Sequence, residues 1–191
     1  MFMKLNVARE WIPLAFVITA LCGLVYVSAQ QVLRQSANDP QVQLAEDLAT
    51  LAGKGVSADQ LVPTNKVDMA ASLAPFAIIY DEQGKVLTAS VQLDGGVPQV
   101  PAGVLDSAKA KGENRLTWQP RPGVRSAIVV SHFSGTPQSG YVLVGRSLRE
   151  VEVRVQQLEL LVLIGWLVTL AGAYILLMVL GQPTTSAPRA L

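Results

Sequence analysis

The stretch Phe76-Ala-Ile-Ile-Tyr-Asp-Glu-Gln-Gly-Lys-Val-Leu-Thr-Ala-Ser90 holds two apolar runs separated by a short polar break. Phe76, Ile78 and Tyr80 alternate, as they would along one face of a strand. Asp81-Glu-Gln-Gly84 supplies residues that reverse a chain, Asp through local hydrogen bonding and Gly through its freedom at positive φ. Val86 to Val91 then returns as a second strand. The hairpin so defined sets the frame for the segments on either side.

Three further strands are expected downstream: Glu113 to Gln119 with Leu116 and Trp118 on one face, Val124 to Phe133, and Gly140 to Arg146. Gly135-Thr-Pro-Gln-Ser-Gly140 connects the last two. Helices are expected upstream, starting at Asp39-Pro40 and closed by Gly53, with Val42, Ala45, Leu48, Leu51 and Ala52 on one face. A short helix is expected at Lys66 to Leu73, before Pro75, and another at Pro101 to Lys111, before Gly112. The order is helix, two strands, helical insert, three strands. It predicts an α+β domain, a five-stranded antiparallel sheet with helices on one face. About 115 residues suffice for such a domain to bury a core and fold by itself without disulfides.

Two runs free of charged side chains flank this domain, Trp11 to Ala29 and Leu160 to Leu180. As helices they measure roughly 28 and 32 Å, close to the thickness of a bilayer's hydrocarbon core. Lys4, Arg9 and Val27-Ser28-Ala29 would also suit a cleaved signal peptide, but the apolar stretch exceeds the usual signal core, so an uncleaved anchor is expected. Cys22, the one cysteine, lies inside this run and is read as packing. The segments are therefore 1–10 cytoplasmic, 11–29 a first span, 30–157 the outer domain, 158–180 a second span and 181–191 a disordered cytoplasmic tail. The basic residues before the first span favour an internal N-terminus. Residues 30–159 carry twelve basic and thirteen acidic side chains, so no positive field exists to attract nucleic acid.

With one histidine, His132, and its one cysteine in an apolar run, the chain is a poor candidate for Cys/His catalysis or an ordinary zinc site. It contains no Gly-x-Ser-x-Gly elbow and no phosphate loop. No enzymatic activity, cofactor or metal is expected. The candidate ligand residues are Tyr80, Trp118, Arg121, Arg125, His132 and Tyr141. Arginine can hold a carboxylate with two hydrogen bonds and aromatic rings can wall a pocket, so a small organic acid is the ligand these residue types suggest. The competing reading is structural, with Asp81 and Glu82 in a solvated turn, Trp118 in the core and the two arginines exposed beside Pro120-Arg-Pro-Gly123.

The approach to the second span, residues 147–159, reads as a helical rod. Leu148, Val151, Val155 and Leu158 repeat at spacings of three and four, a seam that would pair with a second copy or with the extension of the first span. Within the spans, Gly165, Thr169 and Gly172 share one face, as do Ala15, Thr19 and Gly23, and small residues at such spacings permit close helix approach.

The Tyr-Asp-x-x-Gly-Lys hairpin, the three later strands ending in Tyr141-Val-Leu-Val-Gly-Arg-Ser-Leu148, and the helix into an apolar run resemble the PAS-like (Cache-type) extracytoplasmic sensor domains of bacterial histidine kinases and chemoreceptors. The resemblance implies a bacterial inner-membrane protein with a periplasmic or extracellular sensor domain. In the family the second span leads to an output module, whereas here only Gly181 to Leu191 follow. The expectation is thus a signalling input or regulatory subunit for a separate membrane partner. The alternative is a structural or assembly subunit of an envelope complex that binds protein and senses no ligand.

Overall fold

The computed structural model describes residues 2–36, 39–135 and 138–180. Residues 181–191, expected as a disordered tail, lie outside the described residues, as do Asn38, Thr136 and Pro137. Two compact units emerge, one formed by Met1–Gln31 with Arg154–Leu191 and the other by Val32–Val153.

The second unit contains the sheet. Its elements are α2 (Asp39–Gly53), α3 (Ala58–Leu61), β1 (Val67–Asp68), β2 (Phe76–Asp81), β3 (Val86–Ala89), β4 (Val91–Gln92), α4 (Ala102–Lys111), β5 (Glu113–Arg121), β6 (Val124–Phe133) and β7 (Gly140–Ser147). The five long strands form an antiparallel sheet in the order β3-β2-β7-β6-β5. The last strand thus sits in the centre, between the first strand of one hairpin and the second strand of the other. Pro120 falls on β5, an edge strand, beside a register shift between Trp118 and Arg121. There its missing N–H costs no central ladder bond.

The opening hairpin has the turn its sequence predicts. The Asp81 Oδ1 accepts hydrogen bonds from the amides of Gln83 (3.0 Å) and Lys85 (2.8 Å), and Gly84 takes φ of 79°. A carboxylate two and four residues upstream of the amides it caps is a local device, and the glycine supplies the conformation that other residues resist.

The α+β class and the antiparallel sheet are as expected, but the helices divide between both faces of the sheet. Helix α2 packs Ala45, Leu48 and Ala52 against Ala77, Ile79, Val129, Val142 and Val144. Helix α4 packs Leu105 and Ala108 on the other face, against a cluster that includes Phe76, Ile78, Tyr80, Ile128, Tyr141 and Leu143. The physical reason is visible in β2, β6 and β7, which are apolar at both parities rather than alternating. A strand buried on both sides needs cover on both.

The helix expected at Lys66 to Leu73 is not formed. Val67 and Asp68 instead make a short parallel pair with Val91 and Gln92. The Asp68 carboxylate then accepts from the Ala70 amide at 2.8 Å, a local turn that competes with helix. The amide of Val67 donates to the Ser90 carbonyl and that of Met69 to Gln92, so this backbone is committed to a partner far along the chain.

The other unit is built from α1 (Phe2–Ser36) and α5 (Arg149–Leu180), each of which contains a segment long and apolar enough to cross a membrane. Trp11, Ala15, Ile18, Cys22 and Tyr26 form a half-covered stripe on α1, and Leu158, Val162, Trp166, Leu170 and Ala173 form one on α5. Aromatic side chains link these stripes. The Trp166 indole donates to Thr19 Oγ1 at 2.9 Å, the Trp11 indole approaches the Leu170 carbonyl at 3.5 Å, and Trp11 meets Tyr174 edge to face at 6.0 Å. An indole N–H in apolar surroundings needs such an acceptor.

Candidate functional site

One end of the sheet gathers polar side chains on its α4 face. The register places Tyr80 of β2 opposite Tyr141 of β7, and Tyr141 opposite His132 of β6, so the three form one row across the central strands. The His132 ring lies 5.2 Å from the Tyr141 ring, tilted by 58°. The β2–β3 turn brings Glu82 over this row. Its Oε1 accepts from Lys109 Nζ of α4 at 2.5 Å, and its Oε2 lies 3.3 Å from His132 Nε2. One carboxylate thereby ties a turn, a helix and a strand together.

The electrostatics follow from these contacts. The hydrogen bond from Lys109, and then that from His132, hold the Glu82 carboxyl below the usual carboxylate range. The same bond raises the Lys109 ammonium. Burial pushes the Tyr141 phenol up, and the nearby negative charge of Glu82 adds to the effect. Burial alone raises Tyr80. The Tyr80 hydroxyl is sealed from solvent and has no hydrogen-bond partner among the described residues, as do the hydroxyls of Ser126 and Ser131.

Beside this cluster is a cavity of about 180 Å³ between α4 and the hairpin turn, lined by Glu82, Gly84, Val100, Leu105, Asp106 and Tyr141 among others. On the opposite face a second cavity, about 200 Å³, lies under α2 and α3 against Ile79, Leu87 and Phe133. A third space of about 260 Å³ is an apolar groove between α1 and α5, lined by Cys22, Gly23, Tyr26 and Trp166, with Glu159 as its one charged residue. Among the described residues no group of three or more His, Cys, Asp and Glu side chains is placed to hold a metal ion.

The sequence-derived ligand residues therefore separate. Tyr80, His132 and Tyr141 come together. Trp118, Arg121 and Arg125 sit toward the other end of β5 and β6. Six residues of strand part His132 from the Ser126 that faces Trp118, roughly 20 Å. Trp118 is part of the core, Arg121 pairs with Asp94, and Arg125 pairs with Glu152. The structure adds Asp106 and Lys109, which the sequence did not single out, and Glu82, which it placed in a solvated turn. Asp106 and Lys109 share a face of α4 with Ala102 and Leu105, a spacing legible in the sequence, although what that face meets was not.

The rod positions Leu148, Val151, Val155 and Leu158 are all half-buried. Arginines and local bonds fasten its start within the sheet unit. Arg149 donates to the carbonyls of Ala70 and Ala71, Arg146 pairs with Glu150 at 3.1 Å, and the Leu148 amide donates to the Arg125 carbonyl. Gly165, Thr169 and Gly172 lie on an exposed side of α5, where a Cβ on either glycine would meet nothing within 4 Å. The Thr169 hydroxyl donates back to the Gly165 carbonyl at 2.7 Å.

Comparison with known protein families and with curated proteins returned no match. The functional reading therefore rests on fold and site alone.

Proposed function

We infer that this chain is a two-span bacterial inner-membrane protein whose PAS-like (Cache-type) domain lies outside the cytoplasm and serves as the signalling input, or a regulatory subunit, of a separate membrane partner. The observation that carries this reading is the position of Tyr141. It borders a cavity and lies on β7, the central strand that runs through Ser147 into α5. A ligand in that cavity touches the strand leading into the membrane-length helix.

For such a device to signal, two states of the domain must differ in affinity for the stimulus, since a ligand that binds both equally shifts nothing. The strand order and the paired apolar helices support the reading, and the basic residues before the first span support an internal N-terminus. The test is in-membrane crosslinking from single cysteines placed along residues 151–158, with Cys22 replaced by Ala. A stimulus-dependent change in crosslinks to one partner protein, or between copies, is the expected outcome. Crosslinks that stay constant under all growth conditions, with a function untouched by scrambling residues 148–158, would favour a structural subunit instead.

A further inference from the structure

The cavity between α4 and the hairpin turn has a chemistry of its own, and the class of ligand it selects both rests on the sensor reading and deepens it. Two of its lining residues are charged, Glu82 and Asp106, and both are acids. The Glu82 carboxylate is already engaged by Lys109 and His132, neither of which is among the lining residues. Among the described residues Asp106 makes no ion pair or hydrogen bond, its charge acts on Lys109 and Tyr141 from a distance, and it borders the cavity. Tyr141 is 3% exposed and its hydroxyl has no hydrogen-bond partner among them either; unlike that of Tyr80, it is not sealed off. A hydroxyl that opens toward a cavity from an otherwise buried side chain is free to meet a partner there.

The free groups are thus one carboxylate, which only accepts while ionised, and one phenol, which can accept as well as donate. Leu105 and Val100 supply an apolar wall. A primary ammonium ion brings three donors and no acceptor, the complement of this set. An organic acid, the ligand suggested by the arginines in the sequence, would instead face two carboxylates, with Arg121 and Arg125 paired elsewhere on the sheet. At about 30 Å³ per water the space equals roughly six waters, enough for five or six non-hydrogen atoms.

We propose that this cavity binds a small primary alkylammonium ion, its nitrogen held by the Asp106 carboxylate and the Tyr141 hydroxyl and its carbon chain lying against Leu105 and Val100. Glu82, fixed by Lys109 and His132, closes the rim.

The experiment is calorimetric titration of the purified full chain in detergent, near neutral pH, with n-butylammonium chloride and, separately, sodium butyrate at matched ionic strength. Butylammonium is expected to bind saturably at one site per chain, and butyrate not to bind. Tyr141→Phe and Asp106→Asn should each weaken butylammonium binding about tenfold or more. Asp59→Asn, on α3, should leave binding unchanged. Asp106 is exposed, so its variant remains a clean test even if Tyr141→Phe disturbs folding. No saturable butylammonium binding, or binding that both variants leave intact, overturns the assignment. Saturable binding of butyrate that Asp106→Asn strengthens also overturns it, while leaving the sensor reading in place. Stimulus-independent crosslinks along 151–158 despite confirmed butylammonium binding would remove the sensor reading and keep the site.

Discussion

Tyr80→Phe isolates the energetic consequence of a polar group buried without a partner. Tyr80 is fully buried and its hydroxyl has no hydrogen bond among the described residues. Leaving such a group unpaired costs about 1–3 kcal/mol. Removing the oxygen forfeits a few dispersion contacts, each about 0.1–0.2 kcal/mol, and leaves a void smaller than a water. The balance is a gain of about 1 kcal/mol, or about 4 °C in the midpoint of thermal unfolding for a unit of this size. A second signature lies at high pH. Burial raises the native phenol above its ordinary value. The unfolded chain therefore loses this proton first, near pH 10. Stability present below about pH 10 is lost as pH rises from there toward the raised native value, by about 1.4 kcal/mol per pH unit for this group. The variant lacks this loss, so its advantage over the wild type should widen above about pH 10. Thermal unfolding of the full chain in detergent, followed by near-UV circular dichroism from about pH 8 to about pH 11, measures both effects. A variant less stable than wild type by about 1 kcal/mol, or a gap that stays flat across that range, would refute the reasoning.

Three further outcomes concern the same unit. Glu82 is held below the usual carboxylate range, so its stabilising contribution is present above the unfolded value near 4.3 and is lost as pH falls toward the lower native value. Glu82→Gln should therefore flatten the acid limb of the stability profile, and a carboxyl-carbon NMR titration of the wild type should find this group below an ordinary glutamate. Gly140→Ala would drive a Cβ into the Tyr80 carbonyl oxygen and to 3.1 Å from the Phe133 ring, at the start of the central strand. A loss of about 3 kcal/mol is expected. Gly103→Ala, in α4 with open space around it, should instead gain about 0.5 kcal/mol in the same chemical-denaturation assay.

Local pattern carried most of the sheet. The hairpin, β6 and the central run of β7 follow from short apolar runs bounded by turn residues, because each is decided by residues a few positions apart. What the sequence concealed are the features decided at long range. The stretch Lys66 to Leu73 suits a short helix by its position before Pro75, and only the pairing of Val67 and Asp68 with Val91 and Gln92 makes its start extended. The two-sided burial of β2 is written in its unbroken run Phe76-Ala-Ile-Ile-Tyr80, but which helix covers which face depends on packing. The site divides in the same way. Tyr80, His132 and Tyr141 were recognisable as aromatic and polar side chains on alternating strands, and strand register unites them. Glu82 meets Lys109 and His132 across 27 and 50 residues, contacts that no local spacing announces. Arg121 and Arg125 drew attention by charge, which their pairing with Asp94 and Glu152 absorbs.

The central place of β7 has a consequence for how the chain is made. Before Gly140 is synthesised, the sheet can exist only as two separate hairpins, β2 with β3 and β5 with β6, each with an open edge. Such long-range closure is slow, and unpaired edges invite association with other chains while it waits. The strand that joins the halves is among the last parts of the domain to emerge, and the apolar helix α5 follows almost at once. Assembly of the sheet and emergence of that helix are therefore near-simultaneous events. A chain interrupted before residue 140 would be left with two unpaired hairpins, a natural substrate for proteolysis.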